Sequence, residues 1–161
     1  MKLLSLVVII FSIYFLPCHA GDPDNVQVAR SMIEAINNRD LDALDQYVSQ
    51  SIVRHCAATP DVKVTNLDEF RDFLKTDFAV APDSVQVVDV IFGSSEYVAV
   101  RARYMGTQTG AMGPFPASGK KMVIPFVGIL RFAEGKVVEM WVEWDNLGAL
   151  AQLGHFPTPT E

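Results

Sequence analysis

The sequence predicts an α+β domain, with helices first and a curved antiparallel sheet after them. Apolar residues recur at helical spacing from Val26 to Leu74, and from Val85 onward the spacing drops to two. The segments of period two are separated by glycine- and serine-containing turns. Such turns join antiparallel neighbours, because a parallel connection needs a crossover of about a dozen residues or more. Helices and strands segregated in this way pack as helices on one face of a sheet.

The first twenty residues stand apart from this pattern. Lys2 is followed by an apolar run from Leu3 to Leu16, then by Pro17-Cys18-His19-Ala20, a helix break with a small residue at its end. This is the anatomy of a secretory signal peptide, and the run is shorter than the roughly 20 residues of a bilayer span. The expected organisation is a signal peptide over 1–20, one domain over 21–154 and a flexible tail over 155–161. Cleavage after Ala20 would give a secreted or periplasmic protein without a membrane attachment. It would also remove Cys18 and leave Cys56 alone, so an internal disulfide is not expected. Cys56 reads as a small buried hydrophobe.

Within the domain, Asp22 or Asp24, with Pro23 between them, starts a helix with Val26, Ala29, Ile33 and Ile36 along one stripe. Asn37-Asn38-Arg39 breaks it. Asp40 then caps a shorter helix carrying Leu41, Leu44, Tyr47 and Val48. Asn66 and Glu69, at capping-box spacing, announce a third helix with Leu67, Phe70, Phe73 and Leu74, ending near Ala81-Pro82-Asp83. Strands are predicted over 85–92, 97–104, 122–132 and 136–144, and Pro125 marks a bulge or an edge. A last helix, 147–153, stops at Gly154.

Composition narrows the function classes. The chain has 161 residues, 50% hydrophobic, enough for one packed core. Its net charge of −6 argues against a grip on nucleic-acid phosphates. No Cys or His pair has metal-ligand spacing. Gly106, Gly110 and Gly113 lack the spacing of a dinucleotide fingerprint.

The last strand holds the densest set of chemical groups. Parity puts Val137, Glu139, Trp141, Glu143 and Asp145 on one face and Val138, Met140, Val142 and Trp144 on the other. The acidic face is either a solvated outer face or the wall of a concave pocket. In the second case the opposite apolar face would be covered by a partner subunit. Asp145, between Trp144 and Leu147, is either a carboxylate suited to proton transfer or the N-cap of the following helix. His55 is a candidate proton carrier or an ordinary surface histidine. Arg101 shares a strand face with Arg103, where both can pair with acids such as Glu139 or Glu143.

The second half resembles a known family. The resemblance runs through Gly106-Thr107-Gln108-Thr109-Gly110, Pro116-Ala117-Ser118-Gly119-Lys120, Leu130-Arg131-Phe132, Gly135-Lys136-Val137-Val138-Glu139, Trp141, Asp145 and Leu150-Ala151-Gln152-Leu153-Gly154. In this series the chain is similar to the SnoaL-like polyketide cyclases, or ester cyclases, of the nuclear transport factor two-like superfamily. Tyr47 to His55 and Pro82-Asp83 fit more loosely.

The resemblance implies a cone-shaped curved sheet wrapped around the N-terminal helices, a homodimer or larger homo-oligomer, and a pocket between sheet and helices. It implies cofactor-free acid/base chemistry on a small hydrophobic carbonyl or ester substrate, of the cyclase or isomerase kind. Asp145 matches the aspartate of the family's closing motif, and His55 and Trp141 match positions that line the pocket, which favours the pocket-facing reading of the last strand. The expected site is Asp145 and His55 as catalytic groups, with Gln108, Trp141, Glu139 and Arg101 binding the substrate. Gln108 and His55 would be hydrogen-bonding partners of Asp145. Two other readings remain: an exported binding protein using the same pocket without chemistry, and a structural dimer module.

Overall fold

The computed structural model of the chain describes residues 23–94 and 96–156. The predicted signal peptide, Asp22, and Pro157 and Pro159 of the tail lie outside the described residues. Among the described residues, no helix is long and apolar enough to cross a membrane.

Helix α1 (Pro23–Asn37) opens on a proline, whose missing N–H costs nothing in a first turn. It buries Ala29, Ile33 and Ile36 as the stripe predicts, together with Met32. The break after it is fastened rather than loose. Arg39 takes a left-handed φ of 62° and donates to the carbonyls of Pro82 and Ser84, each at 2.8 Å. The Asn37 amide exchanges hydrogen bonds of 2.9 and 2.7 Å with the backbone of Gln86.

The next segment departs from expectation. Asp40 does accept the Ala43 N–H, but helix α2 covers only Leu44–Tyr47, and Val48 opens a strand, β1 (Val48–His55). The sequence hides this strand because its pairing slips between Val48 and Val53. Val48 and Ile52 are buried with Ser49, Gln50 and Ser51 between them, so no period of two is visible.

Helix α3 (Leu67–Val80) begins as predicted, with Asn66 Oδ1 accepting the Glu69 N–H at 2.9 Å. Glu69 in turn accepts the Thr65 N–H at 2.7 Å, one residue ahead of the usual capping-box donor. Strands β2 (Val85–Ser94), β3 (Tyr97–Thr107), β4 (Lys121–Ala133) and β5 (Lys136–Trp144) follow, and helix α4 (Asn146–Leu153) ends on Gly154 at φ 81°.

The five strands form one curved, unclosed sheet in the order β1-β5-β4-β3-β2. The β2 to β5 meander is antiparallel, as expected. β1 adds to it in parallel against β5, with the rest of the domain serving as the crossover. The register of β3 with β4 runs unbroken through Pro125, so there is no bulge there. Pairing with β5 starts only at Phe126, and Pro125 has its missing N–H on that unpaired edge. Two residues earlier, the Gln152 side chain of α4 takes the place of a strand, bonding both the N–H and the C=O of Val123 at 2.8 and 3.2 Å.

The helices cover one face of the sheet. That inner face carries Val98, Val100, Ala102, Leu130, Phe132, Val137 and Met140, all buried with α1 and α3 residues. A bulge in β5 corrects the predicted parity. Phe132 pairs with Val137 but Arg131 pairs with Glu139, so Val138 is the extra residue. Val137 therefore joins Met140 in the core instead of sharing a face with Glu139. From Glu139 onward the parity is as predicted, but Glu139 and Trp141 lie on the outer face, away from the helices.

Candidate functional site

The inner face carries two separate apolar clusters. One gathers α1, α3 and the middle of the sheet, with Phe73, Phe78, Phe126 and Val142 half-buried at its margin. The other gathers Ala81, Met122, Ile124, Ala149 and Leu153, with Tyr104, Met112 and Trp144 at its margin. Incompletely buried aromatic side chains of both clusters, Phe73 and Phe78 on α3 and Phe126, Tyr104 and Trp144 on the sheet, lie on the helix-covered side with a set of polar groups. Apolar side chains with a few convergent polar atoms are the kind of lining that small-ligand sites use.

The central polar pair is Asp77 and Tyr104. Asp77 sits on the last turn of α3, on the stripe of Phe70 and Leu74, and faces the sheet. Tyr104 continues the inward row of Val98, Val100 and Ala102 on β3. Its hydroxyl donates to the Asp77 carboxyl, with Oη 3.2 and 3.1 Å from the two oxygens. Burial pushes the Asp77 carboxyl up to about 6, against the opposing pull of the Tyr104 hydrogen bond and of Arg39 and Arg54. Burial and the Asp77 charge push the Tyr104 phenol up as well. Asp77 thus titrates close to neutrality, where a carboxyl is effective in proton transfer.

One side of this pair is closed. Arg39 lies 4.0 Å above the Phe78 ring and bonds Ser84, and the crevice bordered by Arg39, Asp77, Phe78, Ser84 and Tyr104 admits no water. On the β1 side, Arg54 packs its guanidinium 4.4 Å over the Phe73 ring. Beyond it, the Trp144 indole N–H donates to Cys56 Sγ at 3.3 Å. Burial alone would raise the Cys56 thiol. Hydrogen bonds from Thr59 and Trp144 and the charge of Arg54 outweigh it, leaving the thiol below its ordinary value. Cys56 is only half-buried and has polar partners, so it is not the plain hydrophobe expected.

The residues singled out in the sequence fall in three places. His55, Glu139, Trp141 and Arg101 all lie on the outer face. His55 and Trp141 are register partners, stacked with ring centroids 5.3 Å apart. His55 Nε2 is 2.9 Å from Glu139, which also accepts from Arg131 at 2.9 Å. These two hydrogen bonds hold the Glu139 carboxyl below its ordinary range. The physical reason is strand parity. Arg54 and Met140, the neighbours of His55 and Trp141, point toward the helices, so His55 and Trp141 do not line the space between sheet and helices. Arg101 pairs with neither Glu139 nor Glu143. It and Arg103 both bond Asp89 of β2, at 3.0 and 2.9 Å.

Gln108 is fully buried at the start of the long β3–β4 connection, where it pins that loop to the C-terminal segment. Its amide donates to Pro116 O at 3.1 Å, and its Oε1 is 2.8 Å from His155 Nε2. The loop also docks on the end of α3 through the Thr109 and Gly110 N–H groups, both 3.0 Å from Val80 O. A Cβ at Gly110 would fall on the Ala79 carbonyl. Gly110→Ala is therefore expected to cost about 2 kcal/mol in a denaturant titration, through overpacking against backbone. An unchanged midpoint would contradict this docking.

Asp145 is exposed and caps α4, with Oδ1 accepting the Gly148 N–H at 2.8 Å. A side chain at Gly148 would collide with that carboxyl. Neither Gln108 nor His55 bonds Asp145 among the described residues. Asp145 still follows Trp144, which borders the same cluster as Tyr104. Among the described residues, no three His, Cys, Asp or Glu side chains gather as a metal site would require.

Sequence reasoning missed Asp77, Tyr104 and Arg54. Asp77 carries a signal in its spacing, four residues after Phe73 and seven after Phe70, an acid on a core-facing stripe. Arg54 was unreadable without β1.

A family model described as SnoaL-like polyketide cyclase matches residues 26–153. No curated protein matches the chain. Among solved structures, IdmH of Streptomyces antibioticus, a proposed polyketide cyclase, is 25% identical with a TM-score of 0.72, over 81% of this chain and 98% of its own. AclR of Streptomyces galilaeus, a proposed hydroxylase, is 25% identical with a TM-score of 0.74, over 86% and 89%. A SnoaL-like protein of Jannaschia sp. CCS1, at 21% identity and a TM-score of 0.75 over 84% and 97%, shares the fold.

Proposed function

The chain belongs to the SnoaL-like polyketide cyclase family, and from that premise we propose that it is a cofactor-free enzyme acting by general acid/base chemistry on a small carbonyl or ester substrate. The observation that carries this reading is the Asp77–Tyr104 pair, a partly desolvated carboxyl held by a hydroxyl among half-buried aromatic side chains. A pocket that only binds has no need of a carboxyl that titrates near neutrality.

Two carboxyls in unlike environments divide the roles. Asp145, at the position the family gives to an acid/base aspartate, takes a proton from the carbon next to a carbonyl. The C–H electron pair becomes the enolate, and its carbon attacks a second carbonyl of the same molecule. Asp77, in its protonated form, gives its proton to the alkoxide oxygen that results, with Tyr104 holding the carboxyl in place. Asp145 then returns the carbon-derived proton to Asp77 through solvent. The test is α-deuterium exchange into a cyclic ketone in D2O, followed by NMR. This reads the first half of the reaction without a full substrate. No exchange above the buffer rate at any pH from 4 to 9 would favour the binding-protein reading. Export rests on the leader-like run of residues 3–16.

The outer face supports a homodimer. Val87, Val90, Phe92, Tyr97, Val127 and Ile129 are exposed large apolar residues on this one face, which no helix among the described residues covers. Its charges are self-complementary. Arg101 and Arg103 share the single carboxylate of Asp89 on one side, and the exposed Glu143 stands on β5 across the sheet, beside the Glu139 that Arg131 and His55 already hold. A two-fold contact lays each half on the other. Ile129→Glu is expected to turn a dimer into a monomer in light scattering after gel filtration. A wild-type chain that runs as a monomer, or a variant that stays dimeric, would contradict this interface.

A further inference from the structure

On the β1 side, the segment 53–65 folds back on itself where Arg54 and Val64 form an isolated bridge, and it borders an open cavity of about 240 Å3. Whole ligand sites run to roughly 300–1,000 Å3, so this volume takes one group of a ligand rather than all of it. Its lining includes Arg54, Cys56, Thr59, Lys63 and Thr65, and no carboxylate. His55 also borders the cavity, with Glu139 held on it and on Arg131, and Glu69 is spent on the Thr65 N–H and hydroxyl.

We propose that this cavity is a subsite for a carboxylate on the substrate, held by Arg54 and Lys63.

Arg54 has no ion-pair partner within 4 Å among the described residues. It gives one hydrogen bond, to Thr59 Oγ1 at 3.3 Å, and rests its flat face on Phe73. A guanidinium stacked in this way keeps a rigid fork of N–H donors for a planar carboxylate. Lys63 is exposed, likewise without an ion-pair partner among the described residues, and adds a second positive charge in a chain whose net charge is −6. Arg54 acts on both sides, since its charge reaches Asp77 as well as the cavity. A substrate anchored on Arg54 therefore lies within reach of the charge that acts on Asp77. The substrate class narrows accordingly, to keto or ester compounds that carry a carboxylate.

This inference rests on the acid/base reading, but its test measures binding and not turnover. Benzoate and benzamide, alike in shape and unlike in charge, are titrated into 15N-labelled protein. Benzoate is expected to shift the amides of residues 54–65 and to bind at least ~10-fold more tightly than benzamide, with affinity falling as salt rises. Arg54→Gln should remove most of that preference. Lys63→Gln, at an exposed position that cannot threaten the fold, should weaken benzoate by about threefold. Equal binding of the two probes, shifts centred elsewhere, no saturation, or an unaffected Lys63→Gln would overturn the subsite. Asp77→Asn should leave benzoate binding in place, so loss of turnover there and loss of the anion site are separate results.

Discussion

Asp77→Asn should lower the rate of ring closure, read as kcat/KM, by about 10²- to 10⁴-fold while leaving the α-deuterium exchange that Asp145 performs, and should raise the stability of the protein at neutral pH. Both effects come from one cause. Burial disfavours the carboxylate, so the native Asp77 holds its proton up to about 6, whereas in the unfolded chain it loses it near the ordinary value of about 3.9. The sign follows from linkage. A carboxyl raised in the native state contributes most below about pH 4, and that contribution is lost as pH rises through about 6. Above that, the native state carries a partly desolvated charge. The gap between the unfolded and native values corresponds to about 3 kcal/mol, and partial exposure brings this to about 2 kcal/mol.

Asparagine is neutral throughout and still accepts from the Tyr104 hydroxyl. The variant should therefore match the wild type at pH 4 and exceed it by about 2 kcal/mol at pH 8 in urea unfolding. In the wild type, kcat/KM should fall as pH rises through about 6, because the proton donor is then lost. A profile that rises through 6 would make Asp77 the base. A flat profile with full activity in Asp77→Asn would remove it from the chemistry.

Helix α1, the capped start of α3, the β2–β5 meander and the stop at Gly154 were legible in the sequence because each is a local matter of spacing, a capping side chain or a turn residue. β1 was not, because its register slip destroys alternation and its helical neighbours Leu41, Leu44 and Tyr47 are spaced as a helix would space them. Its parallel pairing with β5 is a long-range fact that no local pattern encodes. The bulge at Val138 misled in the same way at smaller scale, moving Val137 to the core face.

The face of the last strand was the larger difficulty. Alternation tells which residues share a side, and Glu139, Trp141 and Glu143 do share one. It does not tell on which side the helices lie. That choice depends on how α1 and α3 dock, which leaves His55, Trp141, Glu139 and Arg101 on the outer face and gives the inner face to Arg54, Asp77 and Tyr104. An ion pair such as Arg101 with Asp89 depends on which strands are neighbours. The β2–β3 hairpin settles that in favour of Asp89 over the acids of β5.

Asp145 is the residue on which the capping and catalytic readings meet, and the two separate cleanly by substitution. As the N-cap of α4, its carboxyl satisfies the Gly148 N–H, and Asp145→Ala should cost about 1 kcal/mol. α4 matters beyond its own length, since Ala149 and Leu153 are core residues of the second cluster and Gln152 completes the edge of β4. Asparagine caps a helix about as well as aspartate, so Asp145→Asn should unfold within a few tenths of a kcal/mol of the wild type. It cannot take a proton from carbon. If Asp145 is the base, this variant loses about 10²-fold or more in exchange rate while its stability, its α4 contacts and its benzoate binding are kept. That is the expected result. Full exchange activity in Asp145→Asn would make Asp145 a cap and nothing more, and would leave Asp77 to act as both base and acid, with Tyr104 as the group that holds it.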